Sequence, residues 1–209
     1  MAKSVHYPVF TIGHSLLTGV RFIELLKAHE IQFVLDVRTS PFSRRAPQFN
    51  RHQLSDTLLA AGLNYSFAGR SLGGRPADLA QYEGGRASYD RMAATTSFQA
   101  AIRRIATAAK TSTVAMMCAE SDPIECHRFL LIGRALQTNG LQIQHILSNG
   151  TVESHSHAEE RMLARVGFQQ ADIFAPEGDH LAAAYAEQSS RFAFVIPGFS
   201  TTADQMDFA

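Results

Sequence analysis

The stretch "TSTVAMMCAESDPIECHRFLLIGRALQTNG", residues 111–140, holds the reading of the fold. Its first part, "TSTVAMMCAE", is an apolar run ending in polar residues, the pattern of a central strand covered on both faces. Then comes turn chemistry. Asp122 is suited to cap a helix, Pro123 to its first position, and Glu125 stands three residues after Asp122, the spacing of a capping box. The helix is expected to start at about Pro123, hold Cys126, His127 and Arg128 in or near its first turn, and stop at Gly140. Strand, polar turn and helix in that order make one unit of a parallel α/β layer.

The same alternation continues outward. Upstream, "PVFTIGH" (8–14) reads as a first strand, and "TGVRFIELLKAHE" as a helix with Thr18 as its cap and Phe22, Leu25 and Leu26 at helical spacing. "IQFVLDVR" (31–38) is a second buried strand, "RHQLSDTLLAAG" a helix closed by Gly62, and "LNYSFAG" a short strand. "SYDRMAATTSFQAAIRRIATAAK" holds one or two helices, and "LQIQHILS" is the strand after the central unit. The fold class is therefore α/β, a mostly parallel sheet flanked by helices with a helical C-terminal extension. Residues 8–150 are expected to form the core and 151–209 the extension and tail, with "SHSHAEERMLARVG" helical, "HLAAAYAEQSSRFAF" another helix or a partly ordered segment, and "VIPGFSTTADQMDFA" a tail.

Composition excludes several classes. Hydrophobic residues make up 45% and charged residues 18%, as in ordinary globular proteins. No apolar run approaches the ~20 residues that span a bilayer, so no membrane partner is expected. "MAKSVHYPVFTIGHS" lacks the apolar core of a secretion signal, and a cytoplasmic location is the expectation. Two cysteines are too few for a disulfide framework. Net charge is zero, yet "RTSPFSRRAPQFNRHQ" carries Arg38, Arg44, Arg45, Arg51 and His52 without an acid, and "AGRSLGGRP" adds Arg70 and Arg75. That pattern marks a local anion site, unless these arginines are only a solvated face.

Ligands of open α/β sheets bind beyond the carboxyl ends of the strands. His14 ends the first strand, Asp36 and Arg38 the second, and Cys118 and Glu120 the central one. Several chemistries stay open there. Cys126 is a candidate nucleophile, although Arg128 follows it by only two residues, too few for an oxyanion-cradling loop. Cys118, Cys126 and His127, with His14 as a further candidate, offer sulfur and nitrogen ligands for zinc or iron. "CAE" followed by "P…C" echoes zinc deaminases, but the closing cysteine is missing and the spacing is short. Glu120 and Asp36 suit acid–base or electrostatic work beside His14 and His127, with Arg38, Arg44, Arg45 and Arg128 holding an anion. In the plainest reading the cysteines are small buried apolar residues, Asp36 pairs with an arginine, and His14 caps a turn.

"TIGHS" (11–15), "DVRTSPFSRR" (36–45), "LGG" (72–74), "CAESDPIECHR" (118–128) and "HILSNG" (145–150) resemble the blocks of the domain of unknown function 488 family, in the family's order and over about residues 9–150. The resemblance implies a compact α/β domain with a polar site at His14, Ser15, Asp36, Arg38, Ser43, Arg44, Cys118, Glu120, Cys126, His127 and Arg128. It implies no established reaction, and an association with DNA repair or nucleic-acid metabolism. The expectation is an enzyme acting on DNA, RNA or a nucleotide by carboxylate-assisted hydrolysis or transfer. Thiol or metal chemistry at Cys118 and Cys126, and a non-catalytic nucleic-acid-binding module, are the alternatives.

Overall fold

A computed structural model describes residues 7–168 and 177–199. In chain order it contains β1 (Val9–Gly13), α1 (Gly19–Ala28), β2 (Phe33–Asp36), α2 (Arg51–Ala60), β3 (Asn64–Phe67) and α3 (Gly69–Leu72). Next come the hairpin β4 (Tyr82–Glu83) and β5 (Arg86–Ala87), α4 (Tyr89–Ala93), α5 (Thr96–Ala108) and β6 (Val114–Cys118). The chain continues with α6 (Arg134–Thr138), β7 (Ile143–Ile146), β8 (Val152–Ser154), α7 (His155–Val166) and α8 (Glu177–Phe192).

Six strands form one sheet in the order β3-β2-β6-β1-β7-β8. All pairings are parallel except that of β7 with β8. The expected α/β class is observed. Successive residues of β6 serve opposite faces, as strand geometry requires. Ala115 and Met117 join Ile12, Val34, Phe22, Leu25, Leu26, Leu54 and Leu58 under α1 and α2. Met116 and Cys118 join Phe98, Ile102, Ile105 and Phe129 on the other face. The same second core takes in Ala158 and Met162 of α7 and Ala184 and Tyr185 of α8, so the C-terminal segment packs on the sheet's helical cover. Most of the expected tail, residues 200–209, lies outside the described residues.

One local reading is made definite and another needs correction. The "one or two helices" of 88–110 are two, because Thr95 breaks the run and caps α5 by accepting from the Phe98 N–H at 3.3 Å. The helix expected from Pro123 is also divided. Pro123–Glu125 is a single 3₁₀ turn, capped by Asp122 Oδ1 on the Ile124 N–H at 3.2 Å. Cys126 is extended (φ −134°, ψ 143°), and Glu125 pairs with Arg165 Nη2 at 2.6 Å instead of closing a capping box. The second helix begins at the Cys126 carbonyl, which accepts from the Phe129 and Leu130 N–H groups at 3.0 Å each. It runs as a π-helical stretch over Arg128–Gly133 before α6.

None of the described helices is long and apolar enough to cross a membrane.

Candidate functional site

The strands β2, β6 and β1 are neighbours, so their carboxyl ends lie side by side. Backbone bonds carry the alignment past the sheet edge: the His14 N–H donates to Cys118 O, Ser15 N–H to Ala119 O and Val37 N–H to Met117 O. A cleft of about 460 Å³ opens there. Its lining includes His14, Arg38, Ser43, Cys118, Glu120, Cys126 and His127 from the sequence expectation. It also includes Thr39, Ser40, Phe42, Gly74, Arg75, Tyr89, Glu125, Phe192 and Phe194.

At the floor, Cys118 donates its S–H to Glu120 Oε2 at 2.8 Å, and Cys126 Sγ lies 3.2 Å from the same oxygen. His127 Nδ1 is 3.8 Å from Cys118 Sγ and 3.6 Å from Cys126 Sγ. Both cysteines are free thiols. His127 Nε2 donates to the Val37 carbonyl at 3.0 Å, which turns Nδ1 toward the sulfurs. Gly74 packs against that ring, and a Cβ there would stand 2.9 Å from His127 Cγ. The "LGG" block thus serves close approach of a backbone to an imidazole.

The ionisation of the three groups is linked. Burial opposes a charge on Cys126, but the Cys118 thiol, Arg128 and His127 outweigh it and bring Cys126 well below the ordinary thiol range. Its sulfur accepts from the Arg128 N–H at 3.4 Å, as a cap does at a helix start. Burial, Cys126 and Glu120 push the Cys118 thiol up. Burial lowers His127, yet Cys126 and Glu120 raise it beyond the usual imidazole value. Where the buried Cys126 sulfur is a thiolate, a proton or a cation between it and the exposed Glu120 carboxylate 3.2 Å away relieves their repulsion.

Four ligand atoms, one each from Cys118, Glu120, Cys126 and His127, lie within 4.8 Å of one another. Zinc holds sulfur at about 2.3 Å and imidazole nitrogen at about 2.0 Å, so a tetrahedron sets neighbouring S and N ligands about 3.5 Å apart. The observed 3.6 and 3.8 Å fit that edge. The carboxylate contacts are shorter, which makes Glu120 a hydrogen-bond partner of the sulfurs here and not a fourth ligand at tetrahedral spacing. The Val37 carbonyl on the far nitrogen is the kind of outer contact that fixes a metal-binding histidine. The cluster can therefore hold a metal ion.

The remaining expected residues divide. Asp36 is 0% exposed and lies behind Arg38, outside the cleft. It accepts from Arg38 Nε at 2.9 Å, Arg38 Nη2 at 2.7 Å and Tyr65 Oη at 3.0 Å. Arg38 Nη1 donates to His14 Nε2 at 3.1 Å, and His14 Nδ1 donates to Ser15 O at 3.0 Å. His14 is thus held neutral; burial first and Arg38 second bring its pKa to about 4. Its ring stacks on Phe49, whose carbonyl takes Arg38 Nη2.

Arg128, expected to hold an anion, does not line the cleft. It is 1% exposed, and its two Nη atoms grip the Glu120 and Ser121 carbonyls at 2.6 and 2.9 Å. A guanidinium so engaged braces the loop. Arg44 and Arg45 are exposed and outside the cleft, and Ser15 turns the chain at φ 44° without lining it. Ser43 lines the cleft while its Oγ accepts from the Ala46 N–H at 3.1 Å.

Phe192 and Phe194 were not anticipated, since they come from the far C-terminal segment. Residues 193–196 add to the β4–β5 hairpin: Ala87 N–H donates to Phe194 O at 2.8 Å, and Ile196 N–H to Gly85 O at 2.9 Å. Arg75 lies over the Phe194 ring at 4.8 Å. The short apolar run "FAFVI" (192–196), rich in aromatic and β-branched residues and closed by Pro197-Gly198, is the signal that would have found this pairing segment.

An open parallel α/β layer with a thiol, imidazole and carboxylate cluster at its strand ends is the class these features define. The profile of the family described as Domain of unknown function DUF488 matches residues 18–135, more than half of the chain, and the chain belongs to that family. The matched span is shorter than the motif resemblance and leaves the blocks at 11–15 and 145–150 outside it. No curated protein matches the chain. Among solved structures it is similar to a phosphatase candidate (DUF442) from Shewanella putrefaciens CN-32, at 13% identity over 92% of this chain and 93% of that one, with a TM-score of 0.39. A likeness at that level carries no argument about activity.

Proposed function

We propose that this protein is an enzyme acting on a phosphate-bearing substrate, a nucleotide or nucleic acid, by hydrolysis or transfer at a metal centre of Cys118, Cys126 and His127. The observation that carries the reading is the convergence of these three ligand atoms within 4.8 Å on the cleft floor, His127 Nδ1 standing 3.8 and 3.6 Å from the two sulfurs and its ring fixed from behind by Val37. Bound zinc or iron supplies a polarised oxygen and an acidified water. Glu120, touching the sulfurs and facing the cleft, accepts the proton of the attacking water or hydroxyl and returns it to the leaving group. Arg38 and Arg75 hold the anion. Asp36 and His14 serve by orienting Arg38.

Elemental analysis of the full chain tests this. About one zinc or iron per chain is expected, lost in Cys126→Ser. Glu120→Gln should keep the metal and lower turnover by about 100-fold or more. A metal-free protein sinks the metal reading and leaves the Cys126–His127 pair as a nucleophilic site. In that case alkylation of Cys126 proceeds at a pH well below that of an ordinary thiol. Full activity of Glu120→Gln removes Glu120 from the chemistry.

A further inference from the structure

The cleft has aromatic walls and a cationic rim. Phe42 lines it yet is 63% exposed, a large apolar ring left facing water. Phe194 is covered on one face by Arg75, and the exposed guanidinium keeps its own outer face for a further planar group. Tyr89 and Phe192 complete the wall.

The charges are not balanced. Glu125 is paired with Arg165, and Arg38 with Asp36. Arg44, Arg45 and Arg75 reach no carboxylate within ion-pair distance among the described residues. They outnumber the single uncompensated acid of the floor, Glu120. Arg75 belongs to the cleft, whereas Arg44 and Arg45 stand outside it on the loop that carries Phe42 and Ser43. A mononucleotide inside a cleft of about 460 Å³ leaves those two cations unused; a chain of phosphates that enters and leaves does not.

We propose that the occupant is single-stranded nucleic acid, with one unstacked nucleotide in the cleft, its base against Phe42 or the Arg75–Phe194 stack, and the adjoining phosphates on Arg44 and Arg45. This rests on reading the cleft as the substrate site. Aromatic platforms beside a basic track bind single strands, because every base has a face to stack. The cluster sulfurs are buried at the bottom of the cleft. A base paired and stacked in a duplex cannot reach them, and a base already out of the stack can.

The test is fluorescence anisotropy of the full chain with labelled oligo(dA), its duplex with oligo(dT), and AMP as competitor, each over a salt series. Oligo(dA) should bind more tightly than the duplex, with affinity falling steeply in salt. Phe42→Ala, an exposed site that leaves the core intact, should weaken oligo(dA) about five-fold or more. Arg44→Ala/Arg45→Ala should flatten the salt slope for oligo(dA) and leave the AMP competition constant unchanged. Equal or tighter duplex binding overturns the proposal, and so does a Phe42→Ala affinity equal to wild type. These outcomes are separate from the metal reading. A metal-free protein that still shows the Phe42-dependent single-strand preference sinks the metal centre alone. A metal-loaded protein that prefers duplex sinks only this inference.

Discussion

Gly13 ends β1 beside Cys118 of the parallel strand β6, and the loop leaving β6 packs directly on it. A Cβ at this position would fall on the Glu120 carbonyl, which is also held by Arg128 Nη1. The contact is with backbone, so no side chain can swing aside. Gly13→Ala therefore has to displace the loop carrying Glu120, and a loss of about 3 kcal/mol is expected. A denaturant midpoint equal to wild type would show that the loop has room. Single residues were unevenly legible. Cys118, Glu120, Cys126 and His127 announce themselves by type and spacing, and the structure brings them together. Asp36 and Arg38 are two apart at a strand end, and their pairing follows from that. The role of Arg128 was hidden, because its partners are backbone carbonyls that no side-chain pattern reveals.

The elements around the cluster are held by α7. Arg161 donates to both Asp122 oxygens at 2.8 Å each and to both Glu153 oxygens at 2.9 Å each. Burial raises Asp122, but the Arg161 bonds bring its carboxyl below the usual range. Asp122 caps the 3₁₀ turn that leads directly into Cys126, so α7 fixes one cluster ligand against β6, which carries another. Arg161→Ala should loosen that turn. The ion pairs are about a third exposed, so the stability loss is discounted for solvent to about 1–2 kcal/mol. Metal affinity, read by competition with a chelator, should drop about ten-fold, as when outer contacts of a metal site are cut. Arg161→Lys keeps the charge but not the two-pronged geometry and should fall between. Unchanged metal affinity in Arg161→Ala would make α7 a bystander. The strands of the parallel sheet were readable from their apolar runs, because burial on both faces leaves that signature. The short edge pieces were not. β8 had a signal in Asn149-Gly150, a hairpin dipeptide with Gly150 at φ 94°. The β4–β5 hairpin had only Gly84-Gly85 between two-residue strands.

At the scale of the molecule, a buried polar chain ties the sheet to both C-terminal helices. Thr11 Oγ1 is 2.7 Å from His145 Nδ1, His145 Nε2 is 3.1 Å from His155 Nδ1, and His155 Nε2 is 3.0 Å from Tyr185 Oη. Tyr185 donates to Glu159 at 2.9 Å. That carboxylate end orders the rest. Tyr185 must accept from His155 Nε2–H, His155 Nδ1 from His145 Nε2–H, and His145 Nδ1 from Thr11, with both rings neutral. Burial lowers His155 to about 4, and burial with His155 and Arg128 nearby puts His145 well below the usual imidazole value. The sign of the pH effect follows. Above about pH 6.5 His155 is neutral in folded and unfolded chains, and its contribution is fully present. As pH falls from there toward about 4, the unfolded chain takes up a proton that the folded chain refuses, and stability declines. From His155 alone the loss between pH 7 and pH 5 is about 2 kcal/mol. Chemical unfolding at the two pH values should show it, and His155→Asn, which does not titrate, should show a drop smaller by about that amount. Equal drops in the two proteins would mean that His155 takes up its proton in the folded state as readily as in the unfolded one. The chain from Thr11 to Glu159 would then not be the neutral, one-directional relay that joins α7 and α8 to the sheet.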